Sequence, residues 1–307
     1  MRVAIIGNFD GVHGGHRALV ARARERAGSG SGRVVAVTFD PHPAAVLRPD
    51  QAPAALTSVE QRADLLREAG VDDVVVLDFT PELAASSPED FARMLRDRPD
   101  IAADAVIVGD NFRFGARAAG DTALLSALGG DLGFTVEVLP LVTGQVPGDT
   151  DGAWSSTRIR ASIESGDMAA AASMLGRPHR LEGVVVRGDQ RGRDLGYPTA
   201  NIEVPRGRAI PPDGVYAAWL VIPVEGVGGG SDRLPAAVSI GTNPQFDGTE
   251  RRVEAYAIGR DDLDLYGAVV AVDLVERLRG QEVFDSVEAL VEQMGRDVAA
   301  AQQALAG

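Results

Sequence analysis

Two hydrophobic periodicities share this chain, and they change over at Gly176-Arg177-Pro178. Before that point, short apolar runs alternate with helix-length segments. Residues 3–6, 33–39, 74–79, 105–108 and 134–139 read as strands buried on both faces. Residues 16–27, 59–69, 88–96 and 122–128 have helical spacing, with Ser58 as an N-cap and Gly70 as a C′ residue. The alternation predicts an α/β, Rossmann-like domain whose parallel sheet binds ligand at the C-terminal ends of its strands. Two short helices, one from Ser156 or Thr157 to near Gly166 and one over 169–175, lead to the changeover. Beyond it, residues 183–186, 215–222, 236–240, 252–258 and 268–274 read as strands with only turns between them. An amphipathic helix over 287–305 closes the chain. That order predicts an antiparallel β-barrel with a C-terminal helix. The glycine-rich 226–230 reads as a flexible hairpin insertion. The expected domains are 1–178 and 179–307.

Composition narrows the chemistry. At 307 residues the chain can bury two cores, and with 45% hydrophobic residues it is globular. No apolar run approaches the ~20 residues of a membrane span. Met1-Arg2 leads straight into a strand, without the apolar core of a signal peptide. The chain has no cysteine, hence no disulfide, thiolate nucleophile or cysteine-held zinc, and the cytoplasm is the expected compartment. A net charge of −14, shared evenly across the changeover, argues against a nucleic acid partner. All 30 basic residues are arginine. Without lysine there is no P-loop GxxxxGK[ST], no protein-kinase β3 lysine and no Schiff base. Phosphoryl chemistry would have to use arginine, histidine, backbone N–H groups and a metal.

The first strand runs into Gly7-Asn8-Phe9-Asp10-Gly11-Val12-His13-Gly14-Gly15-His16. Glycines let backbone N–H groups approach a phosphate, and the following helix start adds about half a positive charge. His13 and His16, three residues apart, can aim both rings at one ligand, although a capped helix start with two surface histidines has the same spacing. In Trp154-Ser155-Ser156-Thr157-Arg158-Ile159-Arg160, Ser156 or Thr157 is a natural N-cap. Arg158 and Arg160 then oppose the helix dipole unless an anion lies between. In Asp40-Pro41-His42-Pro43 the prolines forbid helix and force an extended turn. In the second domain, Gly188 and Gly192 suit a loop that brings amides onto phosphates. Thr199 and Asn201 offer two uncharged oxygens on one side of an extended segment, suitable for Mg²⁺ beside ATP. Read bare, Pro198-Thr199-Ala200-Asn201 is only a strand start.

His13-Gly14-Gly15-His16 resembles the HxGH signature of the nucleotidyltransferase superfamily. The preceding Gly7-Asn8-Phe9-Asp10-Gly11-Val12 narrows the likeness to the adenylyltransferase half of bacterial bifunctional riboflavin kinase/FAD synthetases. The resemblance implies nucleotide and FMN contacts from Gly7, Phe9, Asp10, Gly11, His42, Asn111 and Arg113. The Ser155–Arg160 segment matches the family's SSTRIR motif, which implies that Ser155, Ser156, Thr157, Arg158 and Arg160 meet the ATP phosphates. The run 183–201 resembles the riboflavin kinase signature and implies binding by Gly183, Gly188, Gly192, Arg193 and Pro198, with Thr199 and Asn201 on Mg²⁺. Pro212-Asp213-Gly214, Ile240-Gly241-Thr242-Asn243-Pro244, Val253-Glu254, Leu265-Tyr266-Gly267 and Leu278-Arg279 follow in family order. Glu254 is the implied base for the ribityl 5′-hydroxyl, and Arg279 an implied cover for flavin or nucleotide.

The resemblance thus implies two ATP-dependent reactions, riboflavin to FMN and FMN to FAD with release of pyrophosphate. His13, His16, Arg158 and Arg160 would stabilise the departing pyrophosphate. Two departures stand out: the family usually has a longer lead-in than Met1-Arg2, and Tyr256–Arg260 replaces its aspartate-containing segment. A transferase for another phosphate acceptor leaves the second domain unexplained. A non-catalytic flavin-binding regulator would bind flavin without turnover, yet no obvious catalytic position is missing.

Overall fold

The computed structural model describes residues 1–143, 152–188, 195–223, 230–242 and 251–306. The chain forms two compact units, Met1–Ser156 and Thr157–Gly307.

In the first unit, β1 (Arg2–Ile6), β2 (Arg33–Asp40), β3 (Asp73–Asp78), β4 (Ala105–Gly109) and β5 (Thr135–Leu139) pair in parallel, in the order β3-β2-β1-β4-β5. Val3 to Ile6 and Val34 to Val37 are buried on both faces, which explains their unbroken apolar runs. Side chains alternate between two cores. Ile6, Val35, Val37 and Val106 meet Phe91 and Leu95 on one face. Val3, Ile5, Ala36 and Ile107 meet Val20, Ala23 and Leu66 on the other. The helices around the sheet are α1 (Gly14–Ala27), α2 (Pro43–Leu47), α3 (Val59–Glu68), α4 (Pro81–Ala84), α5 (Pro88–Asp97) and α6 (Thr122–Leu132). Strand order reverses at β1, between β2 and β4, so the loops leaving β1 and β4 flank the crevice where such sheets bind ligands.

The expected extended turn at 40–43 is only half of what forms. Pro43 opens α2, because a proline at the first helical position lacks an N–H that would be unbonded anyway. The helix α4 has no counterpart in the sequence reading.

The second unit is a closed antiparallel barrel in the order β10-β7-β6-β11-β8-β9. Its strands are β6 (His179–Val186), β7 (Thr199–Glu203), β8 (Gly214–Pro223), β9 (Ser231–Thr242), β10 (Arg251–Ala257) and β11 (Val269–Arg279). β6 starts before the expected Gly183, and β11 continues past two irregularities to Arg279. Gly183 is a packing glycine, since a Cβ there would collide with the Glu203 carbonyl of β7. The C-terminal helix, α9 (Val287–Leu305), lies on β8, β9 and β11. Two helices precede the barrel in this unit, α7 (Ser156–Ser165) and α8 (Met168–Leu175). α8 buries Met168, Met174 and Leu175 and touches β6 and β11. The structural division thus falls ahead of the segment 157–178, which the sequence reading assigns to the first domain. Of the hairpin expected at 226–230, residues 226–229 lie outside the described residues.

Candidate active sites

In the first unit the turn from β1 to α1 is held open by unusual backbone. Phe9 and Val12 have φ of 49° and 43°, in the region that favours glycine, and both are fully buried. Gly11, at φ 84°, supplies the remaining reversal. Three neighbours lock this conformation. The Asp10 carboxylate accepts from the Leu56 N–H (3.0 Å), the Thr57 N–H (3.0 Å) and the Thr57 hydroxyl (3.1 Å). The Gly11 N–H donates to the Thr57 hydroxyl (3.2 Å). The Asn8 carbonyl accepts from Thr38 Oγ1 (3.0 Å), which in turn accepts from the buried Arg62 (3.1 Å). Asp10, expected to touch a ligand, spends its carboxylate in this structure on the 56–57 segment and so shapes the turn.

The turn delivers two histidines to the start of α1. His13 is its N-cap, with Nδ1 accepting the Gly15 N–H at 3.2 Å. In the neutral ring the proton therefore sits on Nε2. His16 stacks on His13, with centroids 3.7 Å apart and planes 24° apart, and meets Phe9 edge-on at 5.1 Å. Burial pushes His13 down to about 4, against an upward pull from Asp10. Burial also drives His16 well below the usual histidine range, with the charges of His13 and Arg62 adding to the effect. His16 Nδ1 is covered and has no hydrogen-bond partner among the described residues. Two neutral rings in contact can donate hydrogen bonds, and only a nearby anion would favour charging them.

The other predicted residues of the first unit follow the C-terminal ends of β1, β2 and β4 or bond to the turn itself. His42, after β2, caps α2 by accepting the Ala44 N–H on Nδ1 (3.1 Å), and its Nε2 lies 3.2 Å from the Asn8 side-chain amide. Asn111 and Arg113 are exposed on the loop after β4, and Arg113 donates to the Phe112 carbonyl. Gly7 leaves β1 against the Phe9 ring. Ser155 and Ser156 are half-buried and Thr157 is exposed. Ser156, expected as an N-cap, is the first residue of α7, and its hydroxyl donates to the Asp10 carbonyl at 2.8 Å. Arg158 and Arg160 lie near the start of α7, as the spacing predicts. Sequence reasoning missed Thr57 and Arg62, because each meets the turn only through long-range contacts.

In the second unit, strand register assembles the candidates. Asn201 stands directly opposite Glu254, and Thr199 opposite Tyr256. Val253, Ala255 and Ile202 are buried, so the alternating partners Asn201 and Glu254 share the opposite face of the ladder. Directly opposed side chains have Cβ atoms about 4.5–5.5 Å apart. Tyr197 packs edge-on against Tyr256 at 5.2 Å. A Cβ on Gly188 would occupy the Asn201 amide, so this glycine keeps the amide's space clear. A cavity of about 300 Å³ is lined by Gly188, Pro198, Thr199 and Asn201, and by residues 260–266. Among the described residues no cluster of three acidic, histidine or cysteine side chains suits a metal. The neutral oxygens of Thr199 and Asn201 fit Mg²⁺, which keeps several waters and takes its other ligands from phosphates.

Gly192 and Arg193 lie outside the described residues. Arg279 does not line the cavity. Its guanidinium forms a two-pronged pair with Asp297 of α9 (2.8 and 2.6 Å), which pins that helix to β11. Arg279, expected as a cover for flavin or nucleotide, thus also serves as a structural tie, because Asp297 offers it a matching carboxylate away from solvent.

The family model for FAD synthetase matches residues 1–149, and that for riboflavin kinase matches residues 175–305. The bifunctional riboflavin kinase/FMN adenylyltransferase of Escherichia coli (strain K12) is 35% identical over 301 residues, covering 98% of this chain and 92% of that one. The Pseudomonas fluorescens protein of that name is 37% identical, with the same coverage. The Bacillus subtilis (strain 168) protein is 31% identical over 96% of this chain and 90% of its own. A crystal structure from Streptococcus pneumoniae, named a macrolide-efflux protein, matches with a TM-score of 0.84 at 30% identity, covering 98% of this chain and 93% of that one. With both family models in tandem, and relatives of this identity along nearly its whole length, the chain belongs to the bifunctional riboflavin kinase/FMN adenylyltransferases.

Proposed function

We propose that the family's two reactions divide at Pro178, FMN adenylylation belonging to 1–178 and riboflavin phosphorylation to 179–307. The chain is an ATP-dependent enzyme that makes FMN from riboflavin and FAD from FMN. For adenylylation, the observation that carries the assignment is the His13–His16 stack at the start of α1. His13 Nε2–H and His16 donate to the ATP phosphates, joined by Arg158 and Arg160. An FMN phosphate oxygen attacks the α-phosphorus, and the bond to pyrophosphate breaks. The donors meet negative charge as it develops on the leaving group. The negative charge of the arriving phosphates offsets the desolvation that keeps these imidazoles neutral and strengthens the hydrogen bonds they donate. His42, Asn111 and Arg113 hold the nucleotide and FMN, and Ser155 and Thr157 support the phosphates.

For phosphorylation, the assignment rests on the opposition of Glu254 and Asn201. Glu254 accepts the proton of the ribityl 5′-hydroxyl as its oxygen attacks the γ-phosphorus and ADP leaves. A carboxylate is a weak base for an alcohol, but this transfer depends mainly on orientation. Thr199 and Asn201 would hold Mg²⁺, which when bound neutralises phosphate charge. Gly188 and Pro198 shape the nucleotide's surroundings. Among the described residues no helix is long and apolar enough to cross a membrane. We assign the enzyme to the cytoplasm, with riboflavin, FMN and ATP as its small-molecule partners and no nucleic acid.

The test is a time course with riboflavin, ATP and Mg²⁺, the flavins being separated by chromatography. FMN should appear first and FAD after it. Riboflavin left untouched overturns the reading.

A further inference from the structure

The second position of His13-Gly14-Gly15-His16 is the variable one in the HxGH pattern, and here it is glycine. Gly14 is the first residue of α1 and has ordinary helical backbone, so nothing in its φ demands glycine. What demands it is a side chain from 140 residues further along. A Cβ on Gly14 would collide with the six-membered ring of Trp154, at Cζ3 and Cε3. The next residue is tight as well, since a Cβ on Gly15 would lie 3.1 Å from His13 Cε1.

The indole is held there from both sides. The Trp154 backbone N–H donates to the Val142 carbonyl at 3.0 Å, and Ala153 bridges Thr143. Two residues on, the Ser156 hydroxyl is fixed to the Asp10 carbonyl. Yet the indole Nε1 is buried without a hydrogen-bond partner among the described residues. A buried, unbonded donor costs stability, so packing alone is a poor reason to keep tryptophan here. We propose that Trp154 is a positioning residue for adenylyl transfer. Its ring fills the volume that a side chain at the variable HxGH position would occupy, and so fixes the first turn of α1 under the His13–His16 stack.

This inference rests on the assignment of adenylylation to His13 and His16. Its mark is coupling between two residues that do not themselves meet substrate. Four variants of the full chain are compared, each assayed separately for FMN adenylylation and riboflavin phosphorylation. Gly14→Ala forces the ring aside, and Trp154→Ala removes it. Each should lower kcat for adenylylation at least about tenfold, with a smaller change in KM for ATP, because misplaced donors are felt most in the transition state. The double variant, in which the new methyl group occupies the vacated space, should recover much of the Gly14→Ala loss. Trp154→Phe should recover most of the Trp154→Ala loss by restoring a flat ring. Phosphorylation by the same samples reports that the chain is folded.

Additive losses in the double variant overturn the proposal, as does full activity in Trp154→Ala. A His16→Ala control separates the two levels. If it abolishes adenylylation while the Gly14 and Trp154 variants are silent, the positioning role falls and the histidine assignment stands. If His16→Ala is itself silent, both fall.

Discussion

The two sites are built by opposite strategies. In the first unit, the two candidate histidines lie within ten consecutive residues, and long-range contacts from Thr57, Arg62, Thr38 and Trp154 hold that stretch in a strained shape. In the barrel, the candidate residues sit on regular strands, and register alone brings Asn201 beside Glu254. A site made from a buried turn is rigid before any ligand arrives, with charges suppressed until an anion enters. A site laid out along a ladder needs little strain, and each residue can be changed with modest consequence for folding. The two should therefore respond differently to mutation, truncation and acid.

The largest effect is expected at the barrel. Glu254→Gln keeps size and hydrogen bonding, and should lower kcat for FMN formation by ~10²–10⁴. Conversion of supplied FMN to FAD should not change. Parental FMN formation would reduce Glu254 to an ordinary acid on β10. Its counterpart in the first unit is His16→Ala, expected to cost FAD formation ~10²–10³ through loss of one donor to a developing charge. Equal loss of both activities would show that the histidines serve the fold and not the adenylyl site.

Truncation probes where each unit ends. A fragment of residues 157–307 keeps α8 on β6 and β11, whereas a fragment of 179–307 exposes the surface that Met174 and Leu175 cover. The longer fragment should have the higher melting temperature, and both should phosphorylate riboflavin without making FAD. Equal melting temperatures would mean that α8 contributes nothing to the barrel. Within the barrel, Arg279→Ala leaves the largely buried Asp297 with Gln293 as a remaining donor. We expect a loss of about 3 kcal/mol in urea unfolding, the low end for a broken buried pair, with little change in KM for riboflavin. A raised KM with unchanged stability would restore Arg279 as a ligand cover.

Acid gives the most specific contrast, because only part of the His13 contribution is lost between neutral pH and about 4.5. His13 binds a proton near 6.5 when unfolded but only at about 4 when folded. The unfolded state thus holds more protons between those values, and stability falls as pH drops from 6.5 toward 4. The full contribution is about 3 kcal/mol. His16 acts in the same direction. His13→Asn supplies a good N-cap with no titration in this range, so its unfolding free energy should fall less steeply between about pH 7 and 4.5. Identical slopes in parent and variant would show that His13 is solvated in solution.

These contrasts also explain what could be read from the sequence. The parallel strands were legible because 34–37 and 105–108 are apolar on both faces, a pattern that needs no knowledge of partners. β7 was legible only as a start, since Thr199-Ala200-Asn201 carries no apolar alternation and becomes a strand through pairing with β6 and β10. α2 was hidden by a proline that marks a helix start as readily as a break. His13 and His16 were visible in a motif, but the inward turn of Asp10 was not. Its partners at 56–57 are 46 and 47 residues away, and an aspartate's choice between ligand and backbone leaves no local trace. The Arg279–Asp297 tie was hidden for the same reason, its carboxylate lying 18 residues further on.

Closure of the barrel has a consequence for association. Each barrel strand has a paired neighbour on both sides, so the barrel has no edge strand for another chain to extend. The open sheet of the first unit ends instead at β3 and β5, which each lack a strand neighbour on one side among the described residues. β3 begins and ends in aspartate, and β5 carries Glu137 at its centre, paired with Arg22 of α1. Charges at such borders discourage growth of the sheet into intermolecular β-structure. Protection against such growth thus rests on a few carboxylates of the first unit, Asp73, Asp78 and Glu137, and is purely a matter of charge placed at a sheet border.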